Sequence, residues 1–158
     1  MDKNISIIQL IQKGDIDINI EISNLQAGRD INIYIRKFLE KSSDYKNIKA
    51  EIQKTEEALH RAVWEEKQFY ADKLEKLRKI EQDFITNTLL LAETFSKMEL
   101  RTEKLRKAKQ LFEQGKINEA DKILDEKDLR NDQHNLITYL EYLEKRKKIL
   151  KNDISTNN

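Results

Sequence analysis

Residues able to do chemistry are sparse in this chain and badly placed for it. Glu57 and His60 stand at Glu-x-x-His spacing, which puts a carboxylate and an imidazole on one helix face. Carboxylate-bridged metal pairs in helical bundles use two such motifs on facing helices. A second is missing here, and the other histidine, His134, is far away in sequence. Carboxylates are plentiful at Glu56, Glu57, Glu65, Glu66, Asp121 and Asp125, but neighbouring pairs point around a helix and not at one spot. Cysteine is absent, which removes thiol chemistry and any disulfide framework. No glycine stands near a Lys-Ser or Lys-Thr pair, so there is no phosphate-binding loop. The residues therefore predict a non-enzyme with no catalytic site, no metal, no cofactor and no small-molecule substrate.

Two basic clusters raise the question of nucleic acid. One is Arg101, Lys104, Arg106, Lys107 and Lys109; the other is Lys145, Arg146, Lys147, Lys148 and Lys151. Phosphate binding needs such groups on one surface. Here Glu99, Glu103, Glu141 and Glu144 are interspersed, the pattern of solvated helix faces. Overall, 30 basic residues stand against 29 acidic ones, so no net field favours DNA or RNA. A nucleic-acid role for residues 101–109 and 145–151 is the alternative to an interaction role. The polar face Asp17, Asn19 and Asn32 lacks the glycine-aspartate repeat of calcium-binding coils.

The elements that must position these residues are mostly helical. Charged residues make up 37% of the chain and apolar ones 38%, a ratio suited to elongated helices with narrow apolar stripes. Proline is absent and glycine occurs three times, so few interruptions limit helix length. The longest apolar run of the helical part, Leu89 to Ala92, is far short of the roughly 20 residues a membrane span needs. The N-terminus does not read as a signal peptide. A cytoplasmic protein without membrane contact is expected.

One stretch departs from this pattern. From Gly14 to Arg36 isoleucine recurs at alternate positions: Ile16, Ile18, Ile20 and Ile22, then Ile31, Ile33 and Ile35. Asp17, Asn19 and Glu21 face the other way, as in a half-buried strand. Gly28 offers a turn between the halves, which repeat as Asp-Ile-Asn-Ile. Two strands alone are marginal in water. Burying one isoleucine is worth about 1.5–3 kcal/mol, so seven on one face demand a cover. That cover is the apolar stretch before Gly14, the chain's own long helices or another copy, and these seven isoleucines are the candidate interaction residues. Residues 5–11 fit either a strand or a helical turn.

After Arg36 the period changes. Ser42, Ser43 and Asp44 can cap a helix. Tyr45, Ile48, Ile52, Leu59, Val63, Tyr70, Leu74 and Leu77 then form a stripe at spacings of three, four or seven. As one helix it would be about 50 Å long. The heptad slips near Trp64 to Phe69, where aromatics suit a wider surface than a two-stranded seam. Thr86, Asn87 and Thr88 either break the next helix or are tolerated in it; that helix is expected over about 79–97, as a second helix or as a continuation of the first. Leu105 to Phe112 makes another helix, stopped by Gly115, and Asn118 begins the next. A last helix is expected from near Asn131 or Asp132, with Lys145 to Lys148 in its final turns.

Two segments resemble pieces of one bacterial context. KAKQLFEQGKINEADKILDE, residues 107–126, resembles a tetratricopeptide-type helical hairpin, with Gly115 ending its first helix and Ala120 packing its second. ISNLQAGRDINI, residues 22–33, resembles a stretch near the start of multi-domain bacterial proteins, where it precedes tetratricopeptide arrays or signalling ATPase modules. One hairpin is not an array, and no second copy is visible. The resemblance implies a stand-alone or truncated N-terminal adaptor region.

The expected organisation is mainly α. It has a β-rich association element over 1–36 and a long amphipathic helix or helical hairpin over 37–99. A tetratricopeptide-like hairpin plus C-terminal helix follows over 100–151, then a disordered tail over 152–158. The expected function is protein–protein interaction or oligomerisation, with itself or another protein as partner.

Overall fold

The computed structural model describes residues 7–13 and 35–156, with side-chain surroundings through Ile149. Among the described residues there are helices and no strand. The order is α1 (Ile7–Gln12), a helical stretch over 35–39, α2 (Ser43–Arg61), α3 (Trp64–Lys97), α4 (Glu103–Glu113), α5 (Ile117–Ile123), a 3-10 turn (Glu126–Leu129) and α6 (Gln133–Thr156). Ile16, Ile18, Ile20, Ile22, Ile31 and Ile33 lie outside the described residues. Ile35 lies within them, and there the strand expectation gives way to helix. Ile35, Phe38 and Leu39 sit at helical spacing and are buried together, while Arg36, Lys37 and Glu40 face solvent. The ambiguous stretch from residue 5 resolves as helix over Ile7–Gln12.

The C-terminal half of α3 is the centre of the core. Thr86 and every residue from Thr88 to Phe95 are buried, so this part of the helix is covered on all sides. Its hydroxyls are satisfied locally. Thr86 donates to the carbonyl of Gln82, Thr88 to that of Phe84, and Thr94 to that of Leu90, at 2.7–3.0 Å. This back-bonding lets threonines persist in a buried helix, which is why 86–88 do not break it. Helices α1, α2 and α6 pack along α3. Phe112 of α4 lies between Phe38, at 5.1 Å, and Phe95, at 5.5 Å, joining three elements through one ring.

Polar clamps hold α6 to this centre. Glu93 is buried and is paired with Lys145 at 2.9 Å. Tyr142 Oη lies 2.9 Å from both Asp121 Oδ1 and Asn87 Oδ1. Its one proton serves the carboxylate; turning the Asn87 amide over lets Nδ2 donate to the same oxygen. Arg146 completes the cluster by donating to Asp121 at 2.6 Å. Burial first, then the Asp121 charge, pushes the Tyr142 phenol well above its ordinary range. Lys145 and Arg146 thus serve mid-helix clamps and not a helix terminus, because α6 continues through Thr156. At its start Asp132 accepts from the backbone N–H of Asn135 at 3.3 Å.

The α4–α5 hairpin is fixed by its turn. The Gly115 N–H donates to the Phe112 carbonyl and the Lys116 N–H to that of Leu111, both at 2.9 Å. These are the paired bonds that close a helix through a left-handed residue, and Gly115 has φ +82°. The turn also packs against the start of α2, since a Cβ at Gly115 would lie 2.9 Å from Ser42 Cα. Ser42 in turn accepts from the backbone N–H of Tyr45 at 3.2 Å, capping α2. Asp44 reaches across to accept from the backbone N–H of Asn118 at the start of α5, at 3.1 Å. Gly115→Ala therefore meets both a backbone penalty and a clash. It should lower stability by about 1–3 kcal/mol in urea unfolding, while Gln114→Ala next to it stays near neutral.

Candidate interaction site at the arm tip

The stripe from Tyr45 to Leu77 is carried by two helices, not one. Ala62 and Val63 are both extended, with ψ 144° and 162°, and the chain folds back on itself there. Helix α3 then runs unbroken through 77–80 to Lys97. Its first half packs on α2 to make a two-helix arm. The join at the base is polar and aromatic. Tyr45 donates to Glu81 at 2.5 Å and stacks on Phe84 at 6.2 Å, and Lys49 pairs with Glu81 at 3.3 Å. Burial and the Glu81 carboxylate together push the Tyr45 phenol up. Further out, Arg78 pairs with Glu56 at 3.0 Å and Lys73 approaches Glu51 at 3.9 Å. Such exposed pairs are worth little each.

Apolar burial in the arm is thin. Ile52 and Thr55 on α2 and Leu74 on the facing half of α3 are buried, but none belongs to the contiguous core. From Glu81 to the bend the arm extends about 27 Å at 1.5 Å per residue. At its end Trp64 is 85% exposed, Phe69 65% and Val63 59%. Phe69 and Tyr70 meet edge to face at 5.2 Å. Glu65 and Glu66 occupy the first turn of α3, where carboxylates complement the helix dipole. The end of the arm thus leaves an indole and two further large apolar side chains in solvent, outside the contiguous core.

The residues singled out by type lie elsewhere and are not brought together. His60 is exposed, and Glu57 pairs with Arg61 at 3.6 Å. His134 Nε2 lies 2.9 Å from the carbonyl of Lys97, closing the end of α3. Asp125 accepts from the backbone N–H of Lys127 at the 3-10 turn, at 3.0 Å. No group of three potential metal ligands exists among the described residues. The first basic cluster is engaged at home. Arg101 pairs with Glu99 and with Asp132, Lys104 with Asp128, and Arg106 donates to the Leu100 carbonyl at 3.1 Å. Ile35, the one described member of the isoleucine set, is inside the core and presents no surface. No helix among the described residues is long and apolar enough to cross a membrane.

Sequence reasoning placed aromatics at the register slip near Trp64 but did not see them as a tip. The slip itself was the available signal. Trp64 is the only tryptophan, so its fluorescence reports this site alone. Dilute protein should show the red-shifted emission of a solvated indole, freely quenched by acrylamide. Trp64→Ser with Phe69→Ser should change unfolding stability by no more than about 0.5 kcal/mol, as expected for side chains outside the core. A buried-indole spectrum or a large stability loss would contradict the geometry. No protein-family model, curated protein or solved structure matches this chain.

Proposed function

We propose that this chain is a non-catalytic protein–protein interaction and oligomerisation module, of the adaptor kind that its resemblance to bacterial multi-domain proteins implies. The carrying observation is the exposed Val63, Trp64 and Phe69 at the end of an arm that adds little to the core. Burying a tryptophan removes about 150–250 Å² from water, and tryptophan is the residue type most enriched among binding hot spots. The helical core acts as a mount. The tetratricopeptide-like hairpin of residues 107–126 is a second packing unit on that mount, and the isoleucine stretch is a second association element on the same reading. The basic clusters give the nucleic-acid alternative little help, because Arg101, Lys104, Lys145 and Arg146 are held by neighbouring carboxylates.

The test is capture on immobilised chain, offering a differently tagged copy and, separately, an extract of the source cells. Wild-type chain should retain a protein from one of the two. Trp64→Ser/Phe69→Ser should lose it by at least tenfold, and Ile18→Asp/Ile33→Asp reports on the second element in parallel. Retention that neither pair of substitutions alters, or no retention at all, would contradict the proposal.

A further inference from the structure

The bend at the arm tip contains no strong helix breaker, although His60 and Arg61 before it and Glu65 and Glu66 after it suit helix ends. Ala62 and Val63 are neither glycine nor proline, and Val63 makes no side-chain cap to α3. Alanine is the best helix former, and valine is tolerated in helices. The apolar stripe also passes through the bend without a gap. Ile52, Leu59, Val63, Tyr70, Leu74 and Leu77 keep spacings of three, four or seven, as a single helix with one stutter would. A bend further leaves backbone N–H groups at the start of α3 without helical partners, which a continuous helix would satisfy. The hairpin is therefore held chiefly by the packing of α2 on α3, in which few side chains are fully buried.

As in any antiparallel hairpin, part of the pairing is symmetric about the bend, while the Glu56–Arg78 and Lys49–Glu81 pairs are offset from it. Tyr45 and Glu81, which share the 2.5 Å hydrogen bond, lie equally far from Val63 in sequence, as do the buried Ile52 and Leu74. Two straightened chains laid antiparallel would reproduce these pairings between copies, α2 of one on α3 of the other. Both would be related by a two-fold axis near Val63. The same arrangement brings Val63 and Trp64 of each copy to that axis, where the second copy covers what the hairpin leaves in solvent. Short connections without flexibility favour such exchange.

We infer that the partner at the arm tip is a second copy of this chain, bound by exchanging α2 as α2 and α3 straighten into one helix over Ser43–Lys97. This inference rests on the association reading above and names its partner. The rod would be roughly 55 residues and about 80 Å long, with a helical core at each end of the dimer.

Because the chain has no cysteine, Glu56→Cys/Arg78→Cys introduces a single thiol pair where the 3.0 Å ion pair now stands. A short bismaleimide then links the pair within one chain in the hairpin and between chains in the exchanged dimer. At about 100 µM, sedimentation of the unmodified chain should give twice the 18.8 kDa chain mass. Cross-linking should give a covalent dimer on a reducing gel. Inserting four Gly/Ser residues between Ala62 and Val63 relieves the connection; it should return the mass to a monomer and the link to a single chain. Small-angle scattering of the unmodified dimer supplies a readout free of the thiol variant, with an elongated particle expected. A monomer at this concentration overturns the inference, as does a dimer whose links all stay within single chains. Tip-dependent capture of a different protein by such a monomer would leave the association reading standing.

Discussion

Everything in this fold depends on covering one helical segment, Thr86 to Phe95 of α3, on every side. A helix apolar on one face needs one neighbour; a helix buried all round needs several. That requirement explains why α1 and α6 both pack along α3, while α2 packs on its other half. It also explains why the polar groups inside are so fully accounted for. Threonine hydroxyls bond to their own helix, Glu93 meets Lys145, and Asn87 meets Tyr142. Among the described residues, no buried side-chain nitrogen or oxygen lacks a partner.

The same helix has a second half with the opposite character. Beyond Glu81 it leaves the core and shares with α2 only a few buried side chains. One continuous element thus joins a fully buried segment to a two-helix arm with few buried side chains. Local stability follows local burial, so the two halves should open with very different free energies. An arm of low stability that ends in a free indole suits association, because ordering on binding can be offset by the apolar area then covered.

Part of this was readable from residue order. Gly115 follows a periodic apolar run and so marks a helix end. Ser42 precedes one and so marks a start, and both positions behave as the local rules require. The helix at Ile35 was hidden because an isoleucine alternation runs up to it, and only Phe38 and Leu39 reveal the change of period. The bend at Ala62–Val63 was hidden for a deeper reason. No glycine or proline stands there, and the only local signal is the charge change from His60 and Arg61 to Glu65 and Glu66; tertiary packing of α2 on α3 does the rest. The candidate tip was invisible for the same cause, since Trp64 and Phe69 form an end only once the chain turns. In the sequence alone the clamps of α6 look like terminal charges, because their partners, Glu93 and Asp121, are distant in sequence.

Helix α3 is anchored by its buried half, while its arm half is held only by α2. Native-state amide hydrogen exchange, read residue by residue along α3, tests this most directly. Residues 88–95 should exchange only through global unfolding, while residues 66–78 should exchange by local opening at least a hundredfold faster. Uniform protection along the whole of α3 at low protein concentration would contradict the account.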